Sequence, residues 1–256
     1  MKLPNSYYLQ FAKNIFSQCG EDGIIEQLFK DLNIKDGILV EFGAWDGVYL
    51  SNIVNLWISN EKFKSILIES NSERVEELKS IAKNISNIEC HHRFVNPSKD
   101  HKDSIDNILD QSEFDIDENN FQLMSIDIDS CDYYIFDSIT KYFPKILIIE
   151  TNTNYGLGQE YVTSTNGSSL HSINELAKRK GYTLVCHTGN AIFVRNDLVE
   201  KLPSENFSIE NLILDGKNVD VLQSINSEGE VGDQIEWLTD SYNKFVEKIK
   251  RELKNE

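Results

Sequence analysis

The sequence predicts an α/β fold built on a doubly wound, mostly parallel seven-stranded sheet, and three observations lead there. Short apolar runs of strand length alternate with segments whose apolar residues recur at helical spacing. The first run ends in Glu41 and passes into a turn with two glycines, Gly43-Ala44-Trp45-Asp46-Gly47. The alternation closes on two adjacent strand-like segments around Thr188-Gly189-Asn190, a final antiparallel pair.

Taken in order, residues 7–16 are aromatic and weakly helical. Residues 21–32 place Ile24, Ile25, Leu28, Phe29 and Leu32 on one helical face. A strand over 38–42 follows, then the glycine turn, then a helix over 48–60 carrying Leu50, Ile53, Val54 and Trp57. The second strand is 65–69. Ser72 is the expected cap of a helix that turns Val75, Leu78, Ile81 and Ala82 inward. A short strand is expected within 88–95, a helix over 103–109 and an acidic loop over 112–120. The next strand, 121–127, leads through Asp129 into a helix over 133–142. Pro144 opens the strand 145–150, and a long polar loop, 151–168, holds Tyr155, Gly156, Gly158 and Tyr161. A helix over 169–180 stops at Gly181, a natural C′ residue. Strands 182–187 and 191–195 end the alternation.

Parallel strands joined by helices require right-handed crossovers, which leave helices on both faces and a ligand crevice at the carboxyl ends of the strands. At 256 residues one domain is expected, with a core of about 16–197 and a C-terminal extension of about 198–256. Within the extension, 211–214 and 219–222 flank Asp215-Gly216 as a hairpin. Ile235, Leu238, Tyr242, Phe245, Val246 and Ile249 form one face of a helix that docks on the core or, in the alternative, makes a homodimer contact.

The charge balance narrows the function classes. A net charge of −17 leaves no basic stripe to replace phosphate counterions, so nucleic acid is excluded as a partner. Lys178-Arg179-Lys180 suits a helix C-terminus. The four cysteines are widely spaced with no C-x-x-C pair, which points to reduced thiols in a cytoplasmic protein. No signal-peptide stretch is seen near Met1, and no apolar run approaches membrane-spanning length.

The glycine turn carries the cofactor argument. A dinucleotide fingerprint needs a middle glycine for close approach of a pyrophosphate to a helix N-terminus. Here Trp45 stands at that place, and the acidic residue precedes the turn. The pattern suits a cationic ligand without phosphate, such as S-adenosylmethionine (SAM). Glu69, at the end of the second strand, is placed to accept from both ribose hydroxyls. Glu41 either engages the amino end of that ligand or holds the glycine loop.

A second constellation combines Asp127 and Asp129 with Glu150 and Asn152. Alternate residues of an extended strand share a side, so if the two strands are neighbours three carboxylates converge. Such a cluster must share a proton or a cation. One carboxylate then serves as general base toward a substrate hydroxyl, or Mg²⁺ or another divalent cation takes Asp127, Asp129 and Glu150 as ligands. His187 and His171 are reserve candidates for the base. No G-x-S-x-G elbow and no zinc-type histidine spacing is present.

Ser17-Gln18-Cys19-Gly20-Glu21-Asp22-Gly23, Val40-Glu41-Phe42-Gly43-Ala44-Trp45-Asp46-Gly47, Leu50-Ser51-Asn52, Ile68-Glu69-Ser70-Asn71, Ser125-Ile126-Asp127-Ile128-Asp129 and Gly181-Tyr182-Thr183-Leu184-Val185 together resemble the FkbM-type SAM-dependent O-methyltransferases. The resemblance spans roughly 16–195. It implies a class I, Rossmann-like methyltransferase fold that moves a methyl group from SAM to a hydroxyl oxygen. By position it implies cofactor contacts from Gln18, Glu41, Gly43, Ala44, Gly47, Ser51, Asn52, Glu69, Ser70 and Asp127, and catalysis by Asp127 and Glu150 with His187 in reserve. The family's D-x-E-G-x-E form is here Asp127-Ile128-Asp129-Ser130-Cys131-Asp132. The acceptor it implies is a sugar or nucleotide-activated sugar in bacterial capsule or other surface-polysaccharide synthesis. Two alternatives stand beside it: a nicotinamide-dependent oxidoreductase, and a methyltransferase-fold binding protein without activity.

Overall fold

The computed structural model describes residues 7–83, 85–203, 207 and 209–212. After a short 3-10 turn, Tyr8–Phe11, the elements alternate as α1 (Glu21–Asp31), β1 (Gly37–Phe42), α2 (Val54–Ser59), β2 (Phe63–Glu69), α3 (Ser72–Ala82), β3 (Ile88–His92), α4 (Ile105–Leu109) and β4 (Phe121–Ile126). They continue through α5 (Asp132–Ser138), β5 (Ile146–Glu150), α6 (Leu170–Arg179), β6 (Tyr182–His187), β7 (Asn190–Arg195) and α7 (Ile209–Leu212). The seven strands form one sheet in the order β3-β2-β1-β4-β5-β7-β6, with β7 antiparallel to both of its neighbours. This is the doubly wound sheet expected from the sequence, with its closing antiparallel pair.

Strand parity divides the core into two layers. On β1, Leu39 packs with Ile24, Leu28 and Phe29 of α1 and with Val54 and Trp57 of α2. Its neighbours Ile38, Val40 and Phe42 pack on the other face with Ile105 of α4, Phe136 of α5 and Ile173 of α6. Burying one such side chain stabilises the fold by about 1.5–3 kcal/mol, so a one-residue slip of β1, which would exchange the two sets, is strongly disfavoured. The same parity puts Glu41, Asp127 and Glu150 on the α1/α2 face, because they continue the series Leu39, Leu123 and Ile146/Ile148.

Several boundaries differ from the sequence expectation for identifiable reasons. The helix expected over 48–60 begins only at Val54. Before it, Asp46 and Glu41 take the N–H groups of Val48, Tyr49 and Asn52, and Leu50 has φ +56°, which no helix tolerates. The segment expected to be helical over 7–16 forms only the 3-10 turn, because Asp22 accepts from the N–H groups of Ile15, Phe16 and Ser17, each at 2.7 Å. The cap of α3 is Asn71, not Ser72: its side chain accepts from Glu73 and Arg74 N–H. The helix expected over 133–142 is Asp132–Ser138, and the strand within 88–95 ends at His92. Gly181, at φ +82°, ends α6 as expected. Asn211 and Leu212 close a helical turn where a hairpin strand was expected, and Leu212 is buried against the α4/α6 layer. The rest of that hairpin and the amphipathic helix around Phe245 lie outside the described residues.

Candidate active site

Parallel β1, β2, β4 and β5 all end at one edge of the sheet, and the predicted acidic residues gather there. Glu41 is buried. Its carboxylate accepts from the Ser51 hydroxyl at 2.6 Å and from the Asn52 N–H at 2.8 Å. Ser51 Oγ in turn accepts from the N–H groups of Ile53 and Val54, so one hydroxyl links Glu41 to the start of α2. Asn52 donates to Ser125 Oγ of β4 at 3.0 Å. Glu41 therefore holds the loop, the second of its two expected roles. Burial pushes its carboxyl up to about 7, aided by the charges of Asp127 and Asp22 and opposed by the Ser51 and Asn52 bonds.

Glu69 closes the turn from the neighbouring strand. One oxygen accepts from Trp45 N–H at 2.9 Å; the other accepts from Ser70 and Asn71 N–H at 2.8 and 2.7 Å. Trp45 has φ +50°, a left-handed conformation that costs a tryptophan roughly 1–2 kcal/mol and is held by that bond. Its ring carries the Arg74 guanidinium 4.3 Å from the centroid.

The two glycines of the turn serve different contacts. A Cβ on Gly43 would lie 1.9 Å from the Asp127 carbonyl oxygen, so Gly43 is what lets the β1 turn and the end of β4 approach. A Cβ on Gly47 would meet Leu78 of α3 at 2.5 Å. Gly47, expected to contact the cofactor, is buried and packs on α3.

A cleft of about 310 Å³ opens between the ends of β1, β2 and β4, lined among others by Gly43, Trp45, Glu69, Arg93, Phe94 and Asp127. Of the predicted cofactor residues, Gly43, Glu69, Ser70 and Asp127 reach it. Glu41, Ala44, Gly47, Ser51 and Asn52 are buried behind it, and Gln18 is exposed on the N-terminal loop. Spacing places a residue near a turn but does not say which of its neighbours the side chain meets. A larger cavity of about 580 Å³ lies at the opposite edge of the sheet. Its cations are already engaged, Lys180 on the Asp137 and Ile139 carbonyls and Arg195 on Asp197, so the smaller cleft is the one with chemistry to offer.

Asp127, Asp129 and Glu150 converge, with one oxygen of each within 4.8 Å of the others. The parallel register explains this: Ile126 pairs with Ile149, which sets Asp127 level with Glu150. Burial raises Asp127 to about 7, with Asp132, Asp129 and Glu21 adding repulsion. Burial likewise raises Glu150 to about 8, with Asp127, Asp132 and Asp129 adding to it. No hydrogen bond from the described residues offsets either carboxylate. Hard oxygen donors in this arrangement fit a divalent cation.

The sequence reading missed the groups that hold this cluster. Asp132, fully buried, accepts from Ile128 N–H at 2.9 Å and Ser130 N–H at 3.1 Å, fixing the turn in which Asp129 adopts φ +57°. Glu21 accepts from Cys19 N–H with one oxygen and from Thr188 Oγ1 and Asn190 Nδ2 with the other, tying the N-terminal loop to the β6–β7 turn. The signal for Asp132 was present, since an acidic residue beside a helix start is a capping pattern. His187 does not join the cluster. Its Nε2 lies 2.7 Å from Thr151 Oγ1, whose hydroxyl also reaches the Gly189 carbonyl at 2.7 Å.

No family model and no curated protein matches this chain. Solved structures do. The StiE O-MT is 18% identical with a TM-score of 0.39, over 64% of this chain and 51% of that one. The CurJ carbon methyltransferase is 9% identical with a TM-score of 0.44, over 68% and 52%. A SAM-dependent methyltransferase from Aquifex aeolicus is 12% identical with a TM-score of 0.40, over 75% and 96%. The chain thus spans about half the length of the first two. Strand order, with the crevice at the carboxyl edge, defines the fold: it is that of the class I SAM-dependent methyltransferases.

Proposed function

We propose that this protein is a SAM-dependent O-methyltransferase of the FkbM type, acting in the cytoplasm on a hydroxyl of a sugar or nucleotide-activated sugar in surface-polysaccharide synthesis. One observation carries the choice of cosubstrate. The N–H groups of Trp45, Val48, Tyr49, Asn52, Ile53 and Val54 all end on the chain's own Glu69, Asp46, Glu41 and Ser51. A pyrophosphate needs those donors free. A ligand bearing a sulfonium and an ammonium needs carboxylates instead, and Glu69 and Asp127 line the cleft.

SAM supplies the methyl group from its sulfonium. The acceptor oxygen forms the new C–O bond as the S–C bond breaks, its proton passes to Asp127 or Glu150, and S-adenosylhomocysteine leaves. Carboxyls raised toward neutrality are matched to that proton transfer. The chain's further contribution is alignment of acceptor and methyl group. Asp127, Asp129 and Glu150 would hold a divalent cation, which would supply Lewis-acid polarisation of the hydroxyl.

Calorimetry of the full chain with SAM and with NAD tests the cosubstrate: NAD binding without SAM binding would overturn it. Methyl transfer from labelled SAM to a panel of nucleotide sugars, with Mg²⁺ or chelator, tests the reaction. Transfer that withstands chelator removes the cation. Loss of turnover in both Asp127→Asn and Glu150→Gln, with SAM binding intact, is the result expected of the carboxylate site.

A further inference from the structure

The 151–168 loop joins β5 to α6 beside Glu150, and it carries an aromatic pair that no core uses. Tyr155 and Tyr161 stack face to face, with centroids 4.2 Å apart and planes 19° from parallel. Neither belongs to either hydrophobic layer of the fold, so the stack does not anchor the loop to the body. Backbone and polar bonds do that. Asn152 N–H donates to the Ser168 carbonyl and Tyr155 N–H to the Asn152 carbonyl. Tyr161 N–H donates to the Ser169 and Ser172 hydroxyls, and the Tyr161 carbonyl accepts from Ser169 N–H. The segment reaches the carboxylates directly: a Cβ on Gly167 would stand 3.9 Å from Glu150 Oε2. Two rings are thus held on a tethered loop whose Gly167 packs against Glu150, with Tyr161 37% exposed.

We propose that the Tyr155–Tyr161 pair is the acceptor platform, stacking the apolar C–H face of a polyhydroxylated ring beside Glu150. The proposal rests on the reading of the carboxylate cluster as the transfer site. An aromatic acceptor would call for an apolar slot with two walls. The loop around the pair is largely amide and hydroxyl (Asn152, Asn154, Gln159, Thr163, Thr165 and Asn166), with Glu160 and the exposed Leu157 between the two tyrosines. Such a rim suits a ligand that offers a C–H face below and hydroxyls at its edge. Aromatic stacking of about 0.5–1.5 kcal/mol corresponds to a roughly two- to tenfold effect on acceptor affinity.

Saturation-transfer NMR of the full chain with a mixture of methyl glucoside, galactoside, mannoside and fucoside, with phenol as competitor, tests it. Transfer to glycoside ring protons is expected in the wild type, falling roughly two- to tenfold in Tyr155→Ala and Tyr161→Ala and persisting in Tyr161→Phe, which keeps the ring. Melting temperature and S-adenosylhomocysteine affinity, measured on each variant, are expected to stay unchanged. No transfer to any glycoside, equal transfer in the alanine variants, or displacement of the glycosides by phenol overturns the platform. If S-adenosylhomocysteine binds while glycosides do not, the platform fails and methyl transfer stands. If glycosides bind through the tyrosines without S-adenosylhomocysteine binding, the platform stands and methyl transfer fails.

Discussion

The carboxylate of Glu69 accepts the Trp45 N–H at 2.9 Å, so the residue at the end of β2 sets the conformation of the turn after β1. The same carboxylate lines the cleft. Glu69→Ala is therefore expected to release Trp45 from its left-handed conformation and to remove a ribose acceptor together. Hydrogen bonds to a charged group contribute about 1.5–3 kcal/mol, which corresponds to at least a tenfold loss in SAM affinity. Calorimetry checks this; wild-type affinity in the variant would show that Glu69 serves the turn alone.

The two glycines of the turn are expected to answer substitution differently. Gly43→Ala combines a φ of +70° with a Cβ 1.9 Å from the Asp127 backbone oxygen, and is expected to cost about 3 kcal/mol or more and to abolish SAM binding. Gly47→Ala, at φ +84° against the flexible tip of Leu78, is expected to cost about 1–3 kcal/mol while leaving SAM affinity near wild type. Thermal melting and calorimetry on the pair read the two effects separately.

Ionisation of the carboxylate cluster works against folding. A buried acid with a raised pKa holds its proton more tightly folded than unfolded, so stability falls as pH rises from about 4 through the folded-state values of about 7 and 8 at Asp127 and Glu150. Asp127→Asn is expected to raise the melting temperature at pH 8 by ~2–4 °C, for about 1 kcal/mol of relieved repulsion, and to leave it unchanged near pH 4. A variant no more stable than wild type at pH 8 would contradict the repulsion. In the wild type, turnover is expected to rise with pH through the same range, as the base loses its proton.

Asp132 is expected to act as a positioning residue. Asp132→Asn removes a charge that helps raise both Asp127 and Glu150, so the rising limb of the pH–rate profile should move to lower pH. Loss of one acceptor from the turn should also reduce kcat more than it raises the KM for SAM. A lower kcat with an unmoved pH limb would mean that Asp132 only supports the fold.

How far the sequence reaches is clearest along β1. Leu39 against Ile38, Val40 and Phe42 reads as a strand buried on both faces, and two packed layers are what the structure shows. The glycine turn, Glu69 and the acidic strand ends were equally legible, because residue type and period carry those signals locally. The late start of α2, at Val54, was not. The apolar spacing over 48–60 is helical, yet Glu41 and Asp46 claim the N–H groups that a helix would have used.

By itself, the sequence determined the sheet, the order of its elements and the edge at which acidic residues gather, since these follow from periodicity and from the alternation of strands with helices. Only the tertiary structure decided which carboxylates meet one another and which meet backbone. Glu41 and Asp132 turned into the frame, while Asp127 and Glu150 were left facing each other without hydrogen bonds from the described residues. The physical reason is that a carboxylate's role is set by which donors come within about 3 Å, and those donors arrive from distant parts of the chain through strand register and loop closure.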